Sequence, residues 1–182
     1  MKLYAALLLF AGMVVLQSCE FSCSVGDKGD KKTQAVRDPK SGARILNEIK
    51  LDATDVKIEK AYLVFADGEM VPEDNIVDFS QPVKMVIVFE SGWREIEGRV
   101  NLGASEKIIV QGGEVLLDEK DLFPEQKLPN GLSATDAKTI ALSATINLTN
   151  EIKPLTAFTV SFRIWDKNSN AAVQGEYKLY AK

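Results

Sequence analysis

The sequence predicts an all-β domain built as a two-sheet antiparallel sandwich of about seven to eight strands. Three observations lead to it. From Val56 onward the chain is a succession of short apolar or alternating stretches, each of strand length and each closed by a turn signal. One of them, residues 83–89, is apolar on both faces, as a strand in the middle of a covered sheet must be. Beyond the apolar run that opens the chain, almost no stretch repeats apolar residues at helical spacing. A small barrel or a jelly roll would have the same number of strands and is the alternative architecture.

The chain opens with Lys2, an apolar run over residues 3–16, and then Leu16-Gln17-Ser18-Cys19. At ~1.5 Å per residue a helix over that run spans about 21 Å, short of the roughly 30 Å hydrocarbon core, so it does not read as a spanning anchor. A charged start, a short apolar stretch and a small residue before a cut site are the layout of a secretory signal. With the cysteine added, these residues resemble the start of a bacterial lipoprotein precursor. Leu16 and Ser18 match that family's aliphatic and small positions, and Gln17 departs from its usual middle position. The resemblance is confined to residues 1–19. It implies cleavage before Cys19, a diacylglycerol on the Cys19 thiol, acylation of the new amino group, and a place in the bacterial cell envelope, at the outer membrane. Two or three acyl chains, at ~0.8 kcal/mol per buried methylene, anchor a protein durably where one chain is marginal. An ordinary secretory signal followed by an unrelated cysteine is the plainer alternative.

Residues 1–18 are therefore read as signal peptide, 19–44 as a flexible tether and 45–182 as the folded domain. The tether is rich in Ser, Gly, Asp and Lys and has no apolar periodicity with which to order itself. As a coil, a segment of this length reaches about 25–30 Å, enough to hold a domain clear of lipid headgroups. The second cysteine, Cys23, lies inside it with no further thiol to pair with, and reads as an inert exposed thiol. The chain carries 22 basic and 26 acidic side chains, a net charge of −4, and loss of Lys2 with the signal makes it more acidic still. Lys28 to Lys32 is interleaved with Asp27 and Asp30, so no phosphate-tracking surface is indicated and nucleic acid is not an expected partner.

Within the domain, residues 56–65 form a strand ended by Ala66-Asp67-Gly68. In residues 83–89, Val83, Met85, Ile87 and Phe89 share one face, with Val86 and Val88 on the other. Residues 93–102 alternate more weakly and suit an exposed strand. Gln111-Gly112-Gly113-Glu114 marks a two-residue hairpin turn, because two glycines supply the positive φ such turns need. Pairing outward from it sets Val110 against Val115, Ile109 against Leu116, Ile108 against Leu117 and Lys107 against Asp118. Pro124, Pro129 and Asn130-Gly131 then break the chain, and Ser133-Ala134-Thr135-Asp136 offers one helical turn with a serine cap. Residues 139–148 alternate strictly, with Ile140, Leu142, Ala144, Ile146 and Leu148 on the dry face.

A last hairpin joins residues 157–166 to 171–181 through Lys167-Asn168-Ser169-Asn170. A four-residue loop pairs Asp166 with Ala171, Ile164 with Val173, Phe162 with Gly175, Val160 with Tyr177 and Phe158 with Leu179. A one-residue slip would turn these apolar side chains outward, and the Phe162 ring can cover Gly175. This hairpin is expected to close the core beside residues 83–89. The whole resembles an immunoglobulin-like fold, at the level of fold alone. The buried cysteine pair of antibody domains is missing, and three strands follow Ala134-Thr135-Asp136-Ala137, which is similar to the corner before their second cysteine.

For chemistry, absences decide most. There is no histidine, which excludes Ser-His-Asp and Cys-His catalysis, histidine zinc sites and histidine proton switches. Gly112-Gly113 opens no helix and cannot be a phosphate loop. No enzymatic activity and no cofactor are expected. Asp67, Glu69, Glu73, Asp74 and Asp78 in one loop and Asp118, Glu119, Asp121 and Glu125 in another offer oxygens for calcium, without the fixed spacing of a calcium motif. Asp67, Glu69, Asp74, Asp118 and Asp121 are the weak candidate ligands. The stretch 166–170 begins like an EF-hand loop but has Ala171 where glycine is required, and reads as a hairpin turn. Trp93, Trp165 and Arg163 are the candidate contacts for a protein or glycan partner, with Trp165 and Arg163 facing away from Phe162 and Ile164. The expected function is that of a non-enzymatic, lipid-anchored envelope protein displaying a sandwich surface to a protein or other partner, the alternative being a calcium-dependent carbohydrate-binding module.

Overall fold

A computed structural model of the chain describes residues 36–37, 42–146 and 152–182, all within the compact unit Thr33–Lys182. The expected signal peptide, Cys19 and Cys23 lie outside the described residues. Fourteen strands follow in order: β1 (Val36–Arg37), β2 (Arg44–Ile45), β3 (Lys50–Thr54), β4 (Lys57–Phe65), β5 (Ile76–Val77), β6 (Val83–Ser91) and β7 (Glu95–Ile96), then β8 (Arg99–Val100), β9 (Leu102–Val110), β10 (Val115–Glu119), β11 (Leu132–Ser133), β12 (Thr139–Ala144), β13 (Ala157–Asp166) and β14 (Ala172–Ala181). The described residues include no α-helix; Asp136–Lys138 is a single 3₁₀ turn.

The first sheet runs β1-β2-β4-β6-β12 and the second β10-β9-β13-β14-β3, with β5 added parallel to the end of β14. Apart from that pair and the parallel β2–β4 pair, neighbours are antiparallel. Both sheets have free edges, so the domain is an all-β sandwich and not a closed barrel. A small third sheet, β11-β8-β7, sits apart from these ladders. One core joins Leu63, Met85 and Leu142 of the first sheet to Ile108, Val160 and Leu179 of the second.

β6 is central, between β4 and β12, and its outward Val86 is buried as well as Met85 and Ile87. That is the reason for its apolar character on both faces. In β12, Ile140 and Leu142 are buried while Thr139, Ala141 and Ser143 are exposed, as alternation requires. Ser133 Oγ accepts the Asp136 N–H (3.0 Å) and donates to Asp136 Oδ2 (2.7 Å), but the N-cap of the 3₁₀ turn is Thr135, which makes no side-chain capping bond, so the expected serine cap is corrected to a local link ahead of the turn. The β13–β14 register matches the sequence expectation from Phe158–Leu179 to Ile164–Val173, and Asp166 N–H reaches Ala171 O at 2.9 Å.

Several expectations are corrected. The last hairpin lies in the second sheet, facing β6 across the core and not beside it. The turn between β9 and β10 has three residues: Val110 N–H bonds to Glu114 O (2.9 Å), and Val115 stands opposite Ile109. An irregularity at Leu116 then restores the expected pairs Ile108–Leu117 and Lys107–Asp118. Residues 93–102 are not one strand but the hairpin β7–β8, whose turn residues Glu97 and Gly98 have φ of 50° and 76°. Pairing of β1 with β2 takes in Val36 and Arg37, which composition had assigned to the tether.

Two buried asparagines tie the loop after β4 to the loop before β3. Asn47 Nδ2 donates to Val71 O and Pro72 O (both 3.1 Å) and to Asn75 Oδ1 (2.9 Å), while Asn47 Oδ1 accepts the Leu63 N–H (3.1 Å). Asn75 Nδ2 returns a bond to Asn47 O at 2.9 Å. Both residues have φ of 55°, a left-handed conformation that asparagine tolerates better than most.

Candidate functional site

Alternation along β13 sends Phe162 and Ile164 into the core and Arg163 and Trp165 to the outer face of the second sheet. There Trp165 stands opposite Gly103 of β9. A Cβ on Gly103 would lie 2.3 Å from Cε2 and Cζ2 of the indole, so the ring rests on the backbone that glycine leaves bare. The guanidinium carbon of Arg163 stands over the same ring, 5.6 Å from its centroid. The nearest candidates to engage Arg163 across the β13–β14 ladder are Gln174, directly opposite, and Glu176. Both have other partners: Glu176 pairs with Lys50 at 2.9 Å, and Gln174 Nε2 donates to Asp52 Oδ2 at 3.4 Å. Among the described residues Arg163 makes no hydrogen bond or ion pair, so its donor fork is unspent.

The rest of this face is mostly polar, with small residues along β13 and longer ones on its neighbours. Ser161 lies between Lys107 and Glu176, and Arg163 between Ser105 and Gln174. Charge sits at the margins. The Lys50 partner holds Glu176 below the usual carboxylate range, and Lys120 does the same for Asp118, at 2.6 Å.

Trp93 does not join this pair. It is half-buried against the core, edge-on to Phe89 with ring centroids 4.8 Å apart, and its buried Nε1 has no hydrogen-bond partner. Four of the five candidate calcium ligands, Asp67, Asp74, Asp118 and Asp121, are likewise dispersed over local tasks. Asp67 Oδ1 accepts the Glu69 N–H and Asp74 Oδ1 the Ile76 N–H, each two residues on (both 3.0 Å). Asp118 is engaged by Lys120, and Asp121 accepts the Phe123 N–H (2.9 Å) and meets Lys167 Nζ (3.3 Å). Among the described residues no group of three or more acidic, cysteine or histidine side chains is arranged to hold a metal ion. Residues 166–170 are a hairpin turn, with Asp166 Oδ1 accepting the Asn168 N–H (2.8 Å) and Oδ2 the Arg94 N–H (2.6 Å).

Sequence reasoning missed one further pair of residues. Glu106 of β9 and Tyr177 of β14 are both buried, and neither Glu106 carboxyl oxygen nor the Tyr177 hydroxyl has a hydrogen-bond partner. Burial raises the Glu106 carboxyl to about 7, and burial together with charge on Glu106 pushes the Tyr177 hydroxyl well above its usual range. The signal was present: Leu102, Ala104, Ile108 and Val110 share one side of the alternation with Glu106, which places the carboxylate on an apolar face. No known family model matches the chain, and no curated protein matches it either.

Proposed function

We propose that the chain is a non-enzymatic, lipid-anchored protein of the bacterial cell envelope, held through acyl chains on Cys19 at the outer membrane, which binds a protein partner through the outer face of its second sheet. The observation that carries the binding part is the Arg163–Trp165 pair. An indole held flat on the sheet at Gly103 loses little freedom when a partner covers it, and an arginine stacked on it presents donors that no neighbour uses. Tryptophan and arginine are the residues most enriched among those that dominate binding energy, and a free guanidinium fork matches a carboxylate in geometry. The anchor rests on Leu16-Gln17-Ser18-Cys19.

The test is photo-crosslinking in intact cells from a reactive residue at position 159, on the same face, in the full-length chain. A discrete adduct that is lost on Trp165→Ala and weakened on Arg163→Ala is the expected result. An adduct indifferent to both substitutions, or one formed equally from position 141 on the first sheet, would remove the face from consideration.

A further inference from the structure

Glu106 is 1% exposed and has nothing to bond. Buried polar groups in native proteins are nearly always satisfied, and an unpaired carboxyl is among the costliest to leave otherwise. Its surroundings offer no help. β13 sets Phe162 beside it, on the face of the sheet turned to the apolar core. The titratable groups on its side of the sheet are Tyr177 of β14, Glu119 of β10 and, at the far end of β13, Asp166, whose oxygens accept the Arg94 and Asn168 N–H groups; no cation opposes the effect of burial on the Glu106 carboxyl.

Water is nevertheless one strand away. Glu119 stands directly opposite Glu106 and shares its face, yet is exposed. What separates Glu106 from solvent at this edge is β10, a short edge strand with four of its five residues exposed and its ladder interrupted before Leu117. Past Glu119 the chain is held by Leu122 N–H on Ala104 O (2.6 Å) and by Lys167 Nζ on Phe123 O (2.8 Å) and Asp121 (3.3 Å).

The geometry points to a pH-operated edge: β10 is a flap that lies closed over Glu106 while its carboxyl is protonated and lifts from β9 when the carboxyl is charged. Opening lets the carboxylate reach water and bares the outer edge of β9. Burial places the closed-state carboxyl at about 7, against 4.5 for a free one. In the closed flap the proton is kept up to about pH 7, and in the lifted flap it is released near 4.5. The open-to-closed ratio therefore rises about tenfold per pH unit between those values and levels off above the higher one. Tyr177 stays neutral throughout, since burial moves its hydroxyl away from this range.

Hydrogen–deuterium exchange of the full chain between pH 4.5 and 8.5, corrected for the intrinsic pH dependence of exchange, tests it. Peptides covering residues 102–119 should lose protection about tenfold per pH unit up to about pH 7 and then level off, while peptides from β13 and β14 away from the edge keep theirs. Glu106→Gln should abolish the slope, and Glu119→Gln should leave it. A wild-type protection that ignores pH, a slope that survives Glu106→Gln, or equal loss in β10 and β14 would overturn the flap. Should Glu106→Gln fail to fold, the wild-type slope and its confinement to residues 102–119 still decide the matter.

Discussion

The ring of Phe162 fills the space that Gly175 leaves. The two stand directly opposite in the β13–β14 ladder, and a Cβ on Gly175 would come within 2.9 Å of Phe162 Cζ and 2.1 Å of Lys50 O. Phe162→Ala empties that space and should cost about 3–5 kcal/mol. Gly175→Ala overfills it and forces β3 away, costing about 1–3 kcal/mol or more. Arg163→Ala, on the outer face, should cost under ~1 kcal/mol, because it removes an exposed stack and no ion pair. Urea melts of the three variants check the order, and a larger loss at Arg163 than at Phe162 would contradict the facing.

Gly103→Ala should dislodge the indole of Trp165 without breaking the strand, since the atoms in the way belong to a ring that can swing outward. In a Trp93→Phe background the remaining tryptophan emission should shift to the red. Stability should change by about 1 kcal/mol, and the adduct from position 159 should weaken with it.

Asn47→Ala removes the acceptor of the Leu63 N–H and the donor to three oxygens in one step. A loss of about 2–4 kcal/mol is expected from these unpaired groups and from alanine's aversion to a φ of 55°. Thermal melts of Asn47→Ala beside Asn75→Ala check it, and near-additive losses would deny that the two act as one unit.

Glu106→Met should stabilise the domain. The raised carboxyl means that the folded state holds a proton the unfolded state has released, so wild-type stability falls by ~1.4 kcal/mol per pH unit between about 4.5 and 7 and is level above that. The variant lacks that slope, and its advantage should be largest above pH 7 and shrink toward pH 4.5. Denaturant midpoints across that range are the measurement.

Cys19→Ala should abolish incorporation of labelled palmitate and release the protein from the membrane fraction. A variant that stays labelled and membrane-bound would end the lipoprotein reading.

The strands were legible where period and turn agreed. The 157–181 hairpin could be registered from sequence because every inward residue is apolar and a slip would expose all of them. Residues 93–102 failed because Glu97-Gly98 was not recognised as a turn, although a glycine after a charged residue between two weakly apolar pairs is the usual mark of one. Around Gly112-Gly113, the glycines fixed where the chain reverses but not whether two or three residues do it, and the irregularity at Leu116 concealed the difference beyond Leu117. The outward facing of Arg163 and Trp165 followed from alternation. The seat at Gly103 did not, since no local pattern tells which residue lies across a sheet.

The final strand, β14, is paired along one side with β13 and along the other with β3 and then β5. Even its end is knitted in: Ala181 O accepts the Leu155 N–H at 2.8 Å, and Lys182 N–H reaches Val77 O at 3.1 Å. Segments as far apart in sequence as Lys50 and Glu176 thus meet through residues that are synthesised late. A nascent chain lacking residues 172–181 can form β4, β6 and β12 but has nothing to join β3 to β13. The second sheet consequently cannot close during synthesis of the earlier segments. The order in which the ribosome delivers the chain therefore holds the second sheet open until residues 172–181 have emerged.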